Sequence, residues 1–221
     1  TADPFDAFID EWQMVGPDLN DLRLTAQGSD FHYDLKLDAD GPFVLQGDAG
    51  YSVKSAAGQA SHYYSQPFYE VTGIITLAGG PVEVTGRAWL DREWSSQPLE
   101  ETQTGWDWFS LHFDSGEKMM GFQVRDEDGS VYTVGTWITA DQSFAPLDPG
   151  QLDITATAWS DVAGRRIPTT WDLTLPDRDL AITTTAIYPD SWMGTMVAYW
   201  EGPVTITGSH PGVGYLEMSG Y

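Results

Sequence analysis

An aspartate set among tryptophans is the feature of this sequence best suited to chemistry. The stretch Gly86–Phe113 contains four of the ten tryptophans of the chain, and Asp91, Glu93 and Asp107 lie among them. A carboxyl group that loses its hydration shell against aromatic rings has a raised pKa, so it can donate a proton near neutral pH. For Asp91 the sequence therefore predicts a pKa above the model value of about 3.9. In the structural alternative, Asp91 forms an ion pair with Arg87 or Arg92, which would lower its pKa.

The other two acids are predicted to have structural roles. Asp107 lies between Trp106 and Trp108, so strand alternation directs it to the opposite face from both indoles. There it is expected to accept a hydrogen bond from the backbone or from an indole N–H group. Glu93 is likewise expected to be structural. The candidate proton donor is therefore Asp91.

The strands that carry these residues are recognised by their alternating pattern. In the strand that ends near Glu93, one face is apolar, with Val84, Ala88 and Leu90, and the other carries Arg87, Trp89, Asp91 and Glu93. Counted in the same way, the preceding strand places a polar and aromatic set on one side, namely His62, Tyr64, Gln66, Phe68 and Glu70. Two neighbouring strands with such faces are typical of a barrel that holds a ligand.

Composition excludes several classes of partner. The 33 acidic and 10 basic residues give a formal net charge of −23, which repels phosphate backbones and anionic lipid surfaces. No apolar run is long enough for a membrane span, and the first residues lack a signal-peptide pattern. The absence of cysteine excludes disulfides, thiolate ligands and a cysteine nucleophile. We therefore expect a small-molecule ligand and neither nucleic acid nor a membrane span.

The pattern of the whole chain predicts an all-β protein. Segments rich in β-branched and aromatic residues follow one another, separated by Gly, Pro or Asp. Tight hairpins are predicted at Asp38–Gly41 and Asp126–Gly129. Helical turns are expected only near Asp3–Val15 and Tyr188–Trp200. Closure of the sheets into barrels would remove exposed strand edges.

Four motifs in this order resemble the AttH-type lipocalin-like family, which is related to the carotenoid 1,2-hydratases: "GRAWLDREWSS", "GWDWFSL", "YWEGPVTITG" and "GYLEMSGY". The resemblance implies tandem lipocalin-like (calycin-like) antiparallel β-barrels. Residues 1–80 would form the remainder of the first barrel and residues 81–221 the second. The first barrel would be incomplete in this chain, so an N-terminal fragment or self-association is expected to complete it. The family also indicates a periplasmic or secreted protein.

The resemblance further implies a site and two functions. Asp91 matches the acid that protonates a C=C bond in the hydratases, and His62 matches their histidine. Four aromatic residues are expected to bind the substrate near Asp91 and His62, namely Tyr64, Trp89, Trp106 and Trp108. One reading is a cofactor-independent hydratase that acts on an apolar isoprenoid-like or polyketide-like molecule, with water added and His62 as base or orienting group. The other is a non-catalytic lipocalin-like binder of hydrophobic small molecules.

Other chemistries lack their residue patterns. The four histidines (His32, His62, His112 and His210) show no metal-ligand spacing, so no metal site is predicted. Neither a serine-hydrolase elbow nor a Gly-rich phosphate loop is present. No cofactor is therefore expected.

Overall fold

The regular structure of this protein is almost entirely β-strand. A computed structural model describes residues 4–97 and 100–221. The strands of the first part of the chain are β1 (Phe5–Ile9), β2 (Trp12–Asp18), β3 (Asp21–Gln27), β4 (His32–Ala39), β5 (Val44–Leu45), β6 (Tyr51–Val53), β7 (Ala60–Leu77) and β8 (Gly80–Trp94). Those of the second part are β9 (Gln103–Phe113), β10 (Lys118–Asp126), β11 (Val131–Ile138), β12 (Phe144–Leu147), β13 (Asp153–Val162), β14 (Arg165–Leu175), β15 (Leu180–Ala186), β16 (Trp192–Met193), β17 (Tyr199–Gly208) and β18 (Gly212–Ser219). One 3₁₀ helix, Pro176–Arg178, is the helical element of the described residues.

The strands form two curled antiparallel sheets. In the first sheet the order is β1-β2-β3-β4-β7-β5, and β6 and β8 also pair with β7. In the second sheet the order is β12-β11-β10-β9-β18-β17-β15-β14-β13, and β16 pairs with β17. The all-β, lipocalin-like architecture predicted from the sequence is thus confirmed.

The chain divides into two compact units that share the two longest neighbouring strands. The first unit consists of the residues up to Val44 together with Tyr64–Arg92, and the second consists of Leu45–Tyr63 and Glu93–Tyr221. Both β7 and β8 therefore contribute to each unit. Residue 80, where the sequence analysis places the boundary between two barrels, lies next to the turn between β7 and β8, which pair with each other in the first sheet.

Each unit has its own hydrophobic core, built by alternation along its strands. The core of the first unit contains Leu19, Leu22, Leu37, Tyr69 and Val71. The larger core of the second unit includes three tryptophans that are almost fully buried, Trp137, Trp171 and Trp200. In β15 the buried positions alternate with more exposed ones, as a strand with one core face requires.

One of the predicted hairpins is present in the structure, and the other hairpin and the helical turns are not. The turn after Asp126 is a tight hairpin between β10 and β11, with Gly129 at φ +84°. The predicted hairpin at Asp38–Gly41 is wrong, because β4 pairs with β3 and β7 and the chain leaves the sheet after Ala39. The helical turns are also wrong: the first segment forms the β1–β2 hairpin and the second forms β16 and the start of β17.

Candidate active site

Asp91 lies in the first unit, where two side chains fix the orientation of its carboxyl group. Its Oδ1 accepts a hydrogen bond from the indole Nε1 of Trp89 at 3.0 Å, and a second from the hydroxyl of Ser65. Ser65 lies on β7 and is fully buried, whereas Asp91 and Trp89 are half-buried. Alternation along β8 places Trp89 and Asp91 on one face, so the sequence correctly grouped this pair.

The residue of β7 that contacts Asp91 is Ser65, whereas alternation along β7 predicts Tyr64. Tyr64 instead packs against the core of the first unit with Ala88 and Leu90, which lie on the apolar face of β8. Its ring meets that of Phe43 edge-on, with 5.4 Å between the centroids. A register shift of one residue moves every side chain of a strand to the other face. The prediction that Tyr64 lies beside Asp91 is therefore wrong, and Ser65 occupies that place.

His62 belongs to the second unit and is exposed on β7. Its imidazole stacks on Trp94, with 5.7 Å between ring centroids and 30° between planes, and it meets Tyr51 edge-on at 6.2 Å. The rings of Trp94 and Tyr51 are about half exposed as well. In this unit His62 is thus part of an exposed aromatic group.

Trp106 and Trp108 are half-buried on one face of β9, opposite the core face. Trp106 donates its indole hydrogen to Oε1 of Glu217 at 2.8 Å. Trp108 donates to the hydroxyl of Tyr63 at 2.9 Å. Each indole N–H therefore has a specific acceptor within the second unit, a contact that fixes the position of the ring.

Lys54 lies in an aromatic cage that the sequence does not predict. Lys54 Nζ lies 2.9 Å from Oε1 of Glu93, and 4.6 Å from the ring centroids of both Tyr63 and Phe122. The same Glu93 oxygen accepts a hydrogen bond from Ser61 Oγ at 2.6 Å. The Lys54 side chain is only 12% exposed, so its stem is packed as well as its charge. No sequence pattern marks this cage, since its members come from β7, β8, β10 and the loop after β6.

Substitutions of Lys54 should separate the contribution of its charge from that of its packing. Lys54→Met keeps a long apolar stem but loses the ion pair and the cation–π contacts, and we expect a loss of about 1–2 kcal/mol in the free energy of unfolding. Lys54→Ala also loses the packed stem and should cost more. Urea unfolding of the two variants provides the comparison. Equal losses for both variants would contradict a packing role of the stem.

Asp107 is fully buried on the core face of β9, opposite Trp106 and Trp108 as predicted. Its partners differ from the backbone or indole donors that were expected. Oδ2 accepts hydrogen bonds from Gln123 Nε2 at 2.7 Å and Arg125 Nε at 3.0 Å, and Oδ1 accepts from the Tyr221 hydroxyl at 2.8 Å. The Arg125 guanidinium also lies over the Tyr221 ring, 4.0 Å from its centroid.

Burial dominates the protonation of this cluster. Desolvation raises the pKa of Asp107, although the Arg125 charge and the hydrogen bonds from Gln123 and Tyr221 lower it. Desolvation also raises the pKa of Tyr221, and the neighbouring Asp107 adds to that rise. Both Asp107 oxygens are occupied by protein donors, so this acid has a structural role in the second unit.

The described residues contain neither a candidate metal site nor a candidate membrane-spanning helix. Within residues 4–97 and 100–221, no group of three or more His, Asp or Glu side chains is arranged to hold a metal ion. The same residues include no helix that is long and apolar enough to span a membrane.

The curled antiparallel sheets define a lipocalin-like all-β protein. The chain belongs to the AttH-like family, whose model matches residues 1–221. It is similar to the crystal structure of an AttH protein from Nitrosomonas europaea, with 33% identity and a TM-score of 0.88 over 98% of this chain and 70% of that chain.

A more distant structural neighbour is kievitone hydratase from Nectria haematococca. The identity is 20% and the TM-score 0.80, and the match covers 98% of this chain and 70% of that chain. At this identity the likeness shows the shared fold. No match was found among curated proteins.

Proposed function

We propose that this protein adds water across a C=C bond of an apolar isoprenoid-like or polyketide-like molecule, with Asp91 as the acid. The observation that carries the proposal is the anchoring of the Asp91 carboxyl group by Ser65 and Trp89. A general acid must be held in a fixed orientation toward the atom that it protonates. The hydratase named among the structural neighbours has the same fold and supports this class of reaction.

The two oxygens of the Asp91 carboxyl group have different parts in this scheme. Oδ1 accepts from Ser65 and Trp89, and Oδ2 carries the proton that is given to the alkene. Transfer of that proton to one alkene carbon breaks the π bond and leaves a carbocation on the other carbon. The indole of Trp89, on the same face of β8, can stabilise this cation through its π system.

Addition of water then completes the reaction. A water oxygen bonds to the cationic carbon, and the extra proton of that oxygen returns to the Asp91 carboxylate, which regenerates the acid. The balance is one alkene and one water consumed for one alcohol formed. His62, assigned to the second unit, is not required by this scheme, although its role as a base or orienting group stays a prediction.

Labelled water provides the test of this proposal. The wild-type protein is incubated in H₂¹⁸O with a panel of isoprenoid and polyketide alkenes, and products are analysed by mass spectrometry. We expect at least one alkene to gain the mass of one labelled water molecule in an enzyme-dependent manner. Binding of these alkenes without any labelled product would contradict catalysis.

The second candidate function is a non-catalytic binder of hydrophobic small molecules. It is favoured by the lipocalin-like fold, because curled antiparallel sheets can hold an apolar ligand without any reaction. In that case Trp89 would only contact the ligand. Saturable binding of an apolar alkene with full recovery of the unreacted molecule would identify this function.

A further inference from the structure

The second unit contains a pocket that is separate from Asp91. Its volume is about 730 Å³, within the usual range for small-molecule sites. One wall is the segment from Leu45 to Val53, and the other is formed by β10, β11 and β12 with the residues that follow β12. Its apolar and aromatic lining includes Leu45, Tyr51, Tyr132, Val134, Phe144 and Leu147.

The charged residues that line this pocket are all acidic. Of the described lining residues, only Asp48 and Asp148 carry a charge, and the lining includes no Lys or Arg. Within the described part of the chain, neither carboxylate takes part in an ion pair. Asp48 and Asp148 are both exposed, so each can pair with a cationic group without the cost of burying a charge. A ligand whose apolar part contacts the lining and whose cationic group meets these acids therefore matches the charge of the pocket.

The wall that carries Asp48 is held in place by the fold. The backbone groups of Asp48 and Tyr51 exchange two hydrogen bonds of 3.0 and 2.9 Å. Gly47 has φ +66°, and a Cβ there would lie 2.4 Å from the carbonyl oxygen of Tyr51. The fully buried Gln46 accepts a hydrogen bond of 2.5 Å from the Thr136 hydroxyl of β11. The pocket is therefore preformed, which reduces the entropic cost of binding.

We propose that this pocket binds an apolar molecule that carries a single ammonium group. The apolar part contacts the aliphatic and aromatic lining, and the ammonium group is placed by Asp48 and Asp148. The exposed rings of Tyr51 and Phe144 offer π faces to the same cation. An anionic ligand of the same shape is rejected, because no basic residue of the described lining would meet it. This site is independent of the proposed hydration at Asp91.

A matched series of probes tests the proposal by calorimetry at physiological salt. The probes are 4-phenylbutylamine, 4-phenylbutanol and 4-phenylbutyrate, which share the phenylbutyl group and differ in charge. We expect the amine to bind more tightly than the alcohol, and the carboxylate to bind least. Asp48→Asn and Asp148→Asn should each weaken amine binding by about two- to fivefold, the factor that corresponds to a solvent-accessible ion pair. Phe144→Ala should weaken the binding of both the amine and the alcohol, and that of the amine more, because it removes a cation–π contact together with apolar lining.

Asp161→Asn is the matched control, because it removes an exposed charge of the same unit from outside the pocket. It should leave amine binding unchanged. An equal loss in Asp161→Asn and Asp48→Asn would show that the net charge alone attracts the amine, and would overturn the proposal. Equal affinities for the amine and the alcohol would also overturn it. Because Asp91→Asn should leave amine binding intact, failure of the hydration proposal would not be confused with failure of this one.

Discussion

Asp91→Asn should lower the turnover of hydration by about 10²–10⁴-fold, the contribution of a positioned general acid. Asparagine keeps the shape of the side chain and can still accept hydrogen bonds from Ser65 and Trp89 through its amide oxygen. It has no acidic proton to give to the alkene. The affinity for the substrate should therefore change little, while kcat falls. Steady-state kinetics with the alkene identified by ¹⁸O labelling provides the measurement.

Glu93→Gln is the matched control for this substitution, since it makes the same chemical change two residues further along β8. We expect it to retain turnover, because Glu93 is bound by Lys54 and Ser61 in the second unit. Trp89→Phe keeps an aromatic face but removes the N–H donor to Asp91, so it should reduce turnover less than Asp91→Asn. Full turnover by Asp91→Asn would exclude Asp91 as the acid.

Arg125→Met should destabilise the second unit by about 3–5 kcal/mol, the cost of leaving a buried charge without its partner. The Asp107 side chain is fully buried and the Arg125 side chain is 18% exposed, so water cannot replace the lost guanidinium. Methionine keeps a long unbranched side chain at this position but has no charge. Chemical denaturation at neutral pH gives the free energy of unfolding.

The loss in Arg125→Met should depend on pH in a defined direction. Burial already raises the pKa of Asp107, and removal of the Arg125 charge raises it further. The unfolded carboxyl group then ionises at a lower pH than the folded one, so stability falls as the pH rises through that interval. The difference from wild type should therefore shrink in acid, where Asp107 is protonated in both states. A second substitution, Asp107→Asn, should restore part of the stability at neutral pH, and additive losses would contradict the coupling.

The class of fold was predictable because alternation and turn residues repeat along the whole chain. The short elements were less predictable. The pattern around Asp10 indicates helical turns, but Asp10 adopts φ 51° at the tip of the β1–β2 hairpin. At Gly41, a Cβ would lie 2.3 Å from the Phe68 ring, and the Gly41 carbonyl accepts a hydrogen bond from Gln66. Both contacts are made by β7, which lies some distance further along the chain, so the local sequence around Gly41 cannot predict them. The completion of the first barrel by an N-terminal fragment or a second copy stays a prediction.

The candidate site was predictable only along a single strand. The pairing of Trp89 with Asp91 follows from alternation within β8, and it is present in the structure. The residue opposite depends on the register between β7 and β8, so Ser65 was overlooked in favour of Tyr64. The cluster around Asp107 could not be predicted from the sequence either, because Tyr221 lies 114 positions further along the chain. Contacts at such separations are fixed by the topology of the sheet.

The position of β18 has a consequence for the order of events during synthesis on the ribosome. This strand lies between β9 and β17 in the second sheet, so β9 has a neighbour on only one side until β18 has been made. Throughout the translation of roughly half the chain, an open strand edge next to apolar side chains is available to other nascent chains. Pairing at such separations is also slow to form. Until β18 has been synthesised, the edge of β9 is therefore a place where partly made chains can pair with one another.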